Sequence, residues 1–254
     1  MPVVTKTAKW NCAELEAILT ESISQCAEAC LRINNGVICT TLSGGLDSSF
    51  CLAKIREIVG YDIPIHTFTI GGSEEYPDVQ FARIVSQKFK TVHHEIIPSQ
   101  EDIENAGEEI RSQWKGEPCT PGDVAVYLTY REVASHGLSC VITHDGIDEL
   151  LGGYWEHRKH ESFQETEGAF TDLWGKLEQG HLLPLERKAY HFVVYIILPY
   201  LQRSVVEYIA KIPLICRTSK RVSKKPLRNI AKKYLPVEVI SRKKKGFCSA
   251  LDTE

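Results

Sequence analysis

The stretch Ser43-Gly44-Gly45-Leu46-Asp47-Ser48-Ser49 gathers three hydroxyls, two adjacent glycines and a carboxylate. Adjacent glycines let a backbone bend where other residues cannot, and let a ligand reach the main chain with no side chain between. The hydroxyls donate hydrogen bonds, and a helix starting near Asp47 aims its unpaired N–H groups and positive dipole end at the same spot. These types at this spacing describe an anion cradle, suited to phosphate. No lysine follows the glycines, which excludes the Gly-x4-Gly-Lys-Ser/Thr loop, and the Gly-x-Gly-x-x-Gly fingerprint does not fit either. The bland alternative is a serine-rich strand-to-helix turn with a capping Asp or Ser.

The run resembles the Ser-Gly-Gly-x-Asp-Ser pyrophosphate loop of the ATP pyrophosphatase superfamily. Those enzymes cleave ATP between its α and β phosphates to adenylate a substrate, and the loop holds the departing pyrophosphate. A second reactive group lies far downstream: Thr143-His144-Asp145-Gly146-Ile147-Asp148-Glu149 places three carboxylates within five residues. Carboxylates facing a tetraanionic nucleotide need a divalent cation between them, and Mg²⁺ takes one or two carboxylates plus phosphate oxygens and water. Standing alone, the segment would read as a solvated acidic cap.

The elements that must position these groups follow from periodicity. Apolar residues recur at three and four positions from Asn11 to Leu31, a helix leading into the strand Val37 to Leu42. A helix over 48–59 ends at Gly60, the strand Ile63–Ile70 closes at Gly71-Gly72, and Tyr76-Pro-Asp78 opens a helix through Lys88. The strand Thr91–Ile97 carries His93 and His94, which alternation sends to opposite faces, so no shared metal is expected. A helix over 100–112, a helix capped by Asp123 and running to His136, and the strand Ser139–Thr143 complete the pattern. Strands alternating with helices require a parallel sheet with right-handed crossovers. Ligands in such sheets sit at the carboxyl ends of strands near the topological switch point. If the first and fourth strands are neighbours, the acidic loop faces the cradle. Beyond Tyr154, residues 155–181 show little periodicity, 190–200 and 201–212 read as helices, and 218–234 as a basic helix. The expected fold is α/β, Rossmann-like, with an ATP-binding domain over 1–154 and a helical part over 155–254 that completes the site.

The chain of 254 residues is 43% hydrophobic with net charge −3, enough for a full-sized core and neutral as to nucleic acid or membrane. From Arg217 to Lys245, Glu238 is the only acid. Nine cysteines without any Cys-x2-Cys give no support to zinc or redox-pair chemistry and suggest a reducing compartment. No signal peptide or spanning segment is expected, hence a cytoplasmic protein.

With both loops in place, the chain resembles the synthetase domain of the asparagine synthetase family, which includes β-lactam synthetase, from about Leu15 to Phe247. Beyond the two loops, the likeness includes Tyr76-Pro-Asp78, Asp148-Glu149-Leu-Leu-Gly-Gly-Tyr154, Pro199-Tyr-Leu, Lys225-Pro-Leu-Arg228 and Arg242-x-Lys244-x-Gly-Phe247. The resemblance implies an adenine nucleotide α-hydrolase-like fold, ATP and Mg²⁺ as cofactors, a carboxylate adenylated on oxygen, and an amine that displaces AMP to leave an amide. It implies that Ser43, Gly44, Gly45, Ser48 and Ser49 hold pyrophosphate, with Gly146 and Lys225 also on the nucleotide. Asp47 and Asp148 would bind Mg²⁺; Leu42, Ile70 and Thr143 would line the adenosine pocket. Lys244, with Asp145 and His144, would act in catalysis.

Three departures bear on substrate. Pro2 stands where glutamine-dependent members carry a catalytic cysteine, so nitrogen is expected from ammonia, another amine or a separate glutaminase subunit. The family's Ser-Gly-Glu-Gly-x-Asp-Glu is Thr143-His144-Asp145-Gly-Ile-Asp148-Glu149 here, with an imidazole beside the expected α-phosphate and a shorter acid. Pro-Phe-Leu-Asp has become Pro199-Tyr200-Leu201-Gln202. Two competing readings stand: a tRNA-modifying or sulfur-transferring pyrophosphatase, prompted by the basic segment and the cysteines, and a non-catalytic nucleotide-binding subunit. Small-molecule carboxylate and amine partners are favoured over nucleic acid, no membrane partner is expected, and a homo-oligomer is left open.

Overall fold

The computed structural model describes residues 9–116, 119–242 and 250–251. Five parallel strands form one sheet in the order β3-β2-β1-β4-β5: β1 (Ile38–Thr41), β2 (Ile65–Ile70), β3 (Val92–Ile96), β4 (Cys140–Ile142) and β5 (Tyr195–Ile197). Strand β1 is central, and the order reverses between β1 and β4, where Thr40 pairs with Ile142. The switch point therefore lies between the two strands that feed the two chemistry-bearing loops.

Before β1 runs α1 (Cys12–Ile33), capped by Asn11, whose side chain accepts from the Glu14 N–H at 2.8 Å. Its Leu15, Leu19, Ile23 and Cys30 stripe is fully buried, as helical spacing requires. The crossovers are α2 (Leu46–Val59), α3 (Pro77–Phe89), α4 (Gln100–Gln113) and α5 (Pro121–Ser135). Helices α1, α2 and α3 pack in succession, as do α4 and α5, giving the two helical layers of a doubly wound sheet. After β4 come α6 (Ile147–Leu151), α7 (Phe163–Leu177), a single π-helical turn (Glu178–Leu182) and α8 (Leu183–His191). Beyond β5, a 3₁₀ turn (Pro199–Leu201) leads to α9 (Arg203–Ala210), α10 (Leu214–Arg217), α11 (Lys225–Ala231) and α12 (Val237–Ser241). Among the described residues no helix is long and apolar enough to cross a membrane.

Four local expectations are corrected. Residues 190–200 are not one helix: Tyr195–Ile197 is the fifth strand, so the segment beyond 154 contributes to the sheet. A buried parallel strand is a short apolar run, and Val193-Val194-Tyr195-Ile196-Ile197 carries no period that separates it from a buried helix. Within 155–181, Ser162 and Glu165 form a capping box that starts α7. Helix α5 is capped by Thr120, with Asp123 returning its carboxylate to the Thr120 N–H at 2.8 Å. The basic helix is short, Lys225–Ala231 rather than 218–234. Its upstream Arg217 is a core residue, 1% exposed, whose guanidinium donates to the carbonyls of Leu150, Ala210 and Ile212 at 3.0, 3.0 and 2.7 Å. His93 and His94 do part to opposite faces: His93 Nδ1 sits 2.8 Å from Thr67 Oγ1, while His94 stacks on Phe68.

Candidate active site

The loop after β1 is held in shape by its own hydroxyls. Ser48 Oγ accepts from the Ser43 N–H at 3.3 Å, and Ser43 Oγ accepts from the Gly45 N–H at 3.3 Å. Gly44 has φ +64°, and a Cβ there would lie 2.3 Å from the Phe81 carbonyl carbon. Only glycine permits this bend with the loop so close to the α3 backbone. Ser49 is fully buried, and its hydroxyl has no hydrogen-bond partner among the described residues.

Asp47 stands in the first turn of α2. Its carbonyl accepts from the Tyr200 hydroxyl at 2.8 Å, which ties the 3₁₀ turn after β5 to the loop. Asp148 stands in the first turn of α6, after the left-handed Gly146 at φ +89°. Its carboxylate lies flat against the chain at Gly153, where an added Cβ would fall 1.6 Å from Asp148 Oδ1. The two carboxylates meet on one cation: Lys224 Nζ bonds Asp47 Oδ2 and lies 2.6 Å from Asp148 Oδ1. Lys224 is 3% exposed, and burial works against its charge, but Asp148 and Asp47 together hold its pKa above the ordinary lysine range. Buried beside Asp148, Glu149 has its pKa raised, first by burial and then by that neighbour's charge, and accepts from Tyr154 OH at 3.0 Å.

A second clamp closes on the phosphate loop from the far end of the chain. Arg242 donates to the Ser43 carbonyl at 2.7 Å and pairs with Asp78, the first-turn acid of α3, with both side chains 8% exposed. Asp47, Asp78, Lys224, Arg228 and Arg242 line a cleft beside Ser43 and Gly45. Lys224 and Arg242 are balanced by Asp47, Asp148 and Asp78, so the donors left toward an anion are Arg228 and the N–H and O–H groups of the loop.

On the other side of Asp148, Asp145 accepts from Thr143 Oγ1 at 2.8 Å and faces His181 Nε2 at 2.6 Å. Burial raises the Asp145 pKa, but the His181 and Thr143 contacts outweigh it and bring the carboxyl below its ordinary range. His144 turns back into the strand ends, Nε2 3.2 Å from Thr40 Oγ1 and Nδ1 3.4 Å from Thr41 Oγ1. Thr40 Oγ1 also lies 3.0 Å from the Ile142 carbonyl, which ties the imidazole to the ends of both strands. Burial lowers the His144 pKa to about 4, against a smaller pull from Asp145, leaving a neutral ring at pH 7.

Of the residues expected at the nucleotide, Leu42, Ile70 and Thr143 are buried at the carboxyl ends of β1, β2 and β4. Lys225 does not reach the cleft: its Nζ donates to the Ile215 carbonyl at 2.9 Å. The neighbouring Lys224, in left-handed backbone at φ +51°, turns inward instead. Sequence reasoning missed Lys224 because two consecutive lysines before Pro226 leave the inward one unmarked. It also missed His181, which stands outside every motif. Lys244 and Gly246-Phe247 lie outside the described residues.

Among the described residues no three His, Cys, Asp or Glu side chains converge as a metal site. Two carboxylates from separate loops, turned on one cationic position, are nevertheless the donor set that suits Mg²⁺ when phosphate oxygens and water supply its remaining ligands.

Known proteins place this arrangement. The family model described as asparagine synthase matches residues 18–196 and 178–254. A glutamine-hydrolyzing asparagine synthetase of Gallus gallus is 29% identical over 219 residues, 83% of this chain and 39% of the relative. A corresponding synthetase 1 of Lotus japonicus is 27% identical over 223 residues, 81% of this chain and 38% of the relative. The chain thus spans under two-fifths of the length of these relatives. Among solved structures, NMN synthetase from Francisella tularensis aligns with TM-score 0.41 at 12% identity, over 79% of this chain and 92% of that one. NAD+ synthetase from Burkholderia pseudomallei aligns with TM-score 0.38 at 14% identity, over 88% and 87%. A match running from within α1 to the last residue, through both loops that meet at Lys224, makes the chain a member of the asparagine synthase family.

Proposed function

We propose that the chain is an ATP-dependent, amide-forming ligase. It transfers AMP from ATP to a carboxylate, releasing pyrophosphate, and an amine then displaces AMP. The observation that carries this reading is the meeting of Asp47 and Asp148, one from the turn after β1 and one from the turn after β4, on a single buried cation beside the hydroxyl-lined turn.

The Ser43, Gly45 and Ser48 donors and the α2 N-terminus would receive the departing pyrophosphate, with Arg242 keeping the Ser43 carbonyl turned away from it. Asp47 and Asp148 would hold Mg²⁺, which when bound supplies charge neutralisation for the triphosphate. Lys224 keeps the paired carboxylates from repelling the nucleotide. Preorganised donors aimed at developing charge contribute roughly 3 kcal/mol each, which is the scale expected of the cradle and of Lys244.

The buried Arg217 and Lys224 favour the ligase over an RNA-modifying enzyme. With these two turned inward at 1% and 3% exposure, the described part of the basic segment, 217–242, is not a continuous surface stripe for a phosphate backbone. The test is carboxylate-dependent exchange of labelled pyrophosphate into ATP across the proteinogenic amino acids and short dicarboxylic acids. The ligase reading expects exchange with at least one acid. Exchange stimulated only by tRNA would favour the RNA reading, and Mg-ATP binding without turnover a non-catalytic subunit.

A further inference from the structure

The Lys224 ammonium stands where a divalent cation would. Its Nζ bonds Asp47 Oδ2 and lies 2.6 Å from Asp148 Oδ1, the two carboxylates that suit Mg²⁺. Mg²⁺ takes oxygen ligands at about 2.0–2.1 Å, so an ion held by both carboxylates falls within the space the ammonium fills. The surrounding backbone is shaped to admit the lysine. Lys224 heads α11 in left-handed backbone at φ +51°, uncommon for a residue other than glycine, and this turns it inward while Lys225 bonds the Ile215 carbonyl outside. Gly153 clears the way: a Cβ there would lie 2.5 Å from Lys224 Cε and 1.6 Å from Asp148 Oδ1. Lys224 also lines the cleft beside Ser43 and Gly45. A lysine carries its charge on a flexible four-carbon stem, so the ammonium can pass from the carboxylates into the cleft with α11 in place.

We propose that Lys224 is a resident counter-ion that fills the divalent-cation position until the nucleotide arrives, so that this chain takes its metal only as the metal–ATP complex. The inference rests on the ligase reading. A free divalent ion would have to enter beside the ammonium, against its charge, or drive it into a cleft where Asp78 is already paired with Arg242. Neither is favourable. The triphosphate removes the obstacle, because its oxygens complete the ligand set of the ion and accept the displaced ammonium. Lys224 thereby orders the two binding events: no metal without nucleotide.

The test follows Mn²⁺, a stand-in for Mg²⁺, by equilibrium dialysis with and without ATP; the excess of ion on the protein side counts what the chain holds, with no turnover needed. The unaltered chain should hold Mn²⁺ weakly by itself and strongly with ATP. In Lys224→Met, which keeps an apolar stem and deletes the charge, affinity for Mn²⁺ alone should rise by roughly a hundredfold, since the ammonium no longer opposes a divalent ion a few ångströms away. Adding Asp148→Asn should cancel that gain. No gain in Lys224→Met, or a gain that survives Asp148→Asn, would overturn the proposal. So would binding of Mn²⁺ alone by the unaltered chain as tight as with ATP, a result that can be read whether or not Lys224→Met folds and that leaves the ligase reading intact. No Mn²⁺ held by the unaltered chain even with ATP would overturn both.

Discussion

Replacing Lys224 by Met removes a buried charge on which two carboxylates meet, and the consequence can be worked out from burial. Lys224 is 4% exposed at its side chain, and the Asp47 and Asp148 side chains are 17% and 10% exposed. Breaking a buried ion pair costs about 3–5 kcal/mol, because the remaining charge is stranded. Both carboxylates keep some water here, so the lower end, about 3 kcal/mol, applies. At about 2–4 °C per kcal/mol for a chain of this size, the unfolding midpoint should fall by roughly 6–12 °C. The assay is thermal unfolding followed by circular dichroism at pH 7.5, without and with Mg²⁺. Adding Asp148→Asn to the variant removes one of the two opposed charges and should recover at least half of the loss. A fall of less than about 2 °C, or a double variant no more stable than Lys224→Met, would refute the charge balance on which this prediction rests.

Two further outcomes follow from the same geometry. Gly44→Ala should destabilise the chain by about 2 kcal/mol or more and weaken ATP binding in calorimetric titration, because a Cβ would sit 2.3 Å from the Phe81 backbone at φ +64°. Wild-type stability would show that the loop moves away freely. His157 is 0% exposed, flanked by Phe170 at 4.3 Å and Tyr154 at 5.7 Å between ring centroids, with neither nitrogen bonded among the described residues. Burial lowers its pKa from 6.5 to about 4, so the unfolded chain binds a proton first as pH falls. Stability present above pH 6.5 is therefore lost towards pH 4, on the order of 3 kcal/mol from this ring at 1.36 kcal/mol per unit. His157→Phe should flatten urea-unfolding free energy over that interval, and an unchanged acid slope would count against the assignment.

The sheet and both loops were legible because each depends on local chemistry. β-branched runs ending in Ser43-Gly-Gly and in Asp145-Gly declare strand ends, and neighbouring β1 and β4 bring those ends together. The fifth strand was not legible: with Val193–Ile197 apolar throughout, only pairing with β4 distinguishes strand from buried helix. Nor did the basic segment reveal its division of labour. Arg217 stitches carbonyls in the core, Lys224 enters the site and Lys225 stays outside, differences set by tertiary position and by one left-handed residue. The Asp78–Arg242 pair joins two positions marked in the sequence, but their contact exists only in three dimensions. His181 carried no motif, since its contact with Asp145 arises only across the fold.

The central claim is that the turn after β1 and the turn after β4 serve one nucleotide, and a double-mutant cycle tests it most directly. Mg-ATP affinity would be measured calorimetrically for the unaltered chain, Asp47→Asn, Asp148→Asn and the pair. Two acids acting on one bound Mg-ATP predict that each single change weakens binding strongly and that the second adds little to the first. Losses that simply add, or an Asp148→Asn variant that binds Mg-ATP as the unaltered chain does, would contradict it.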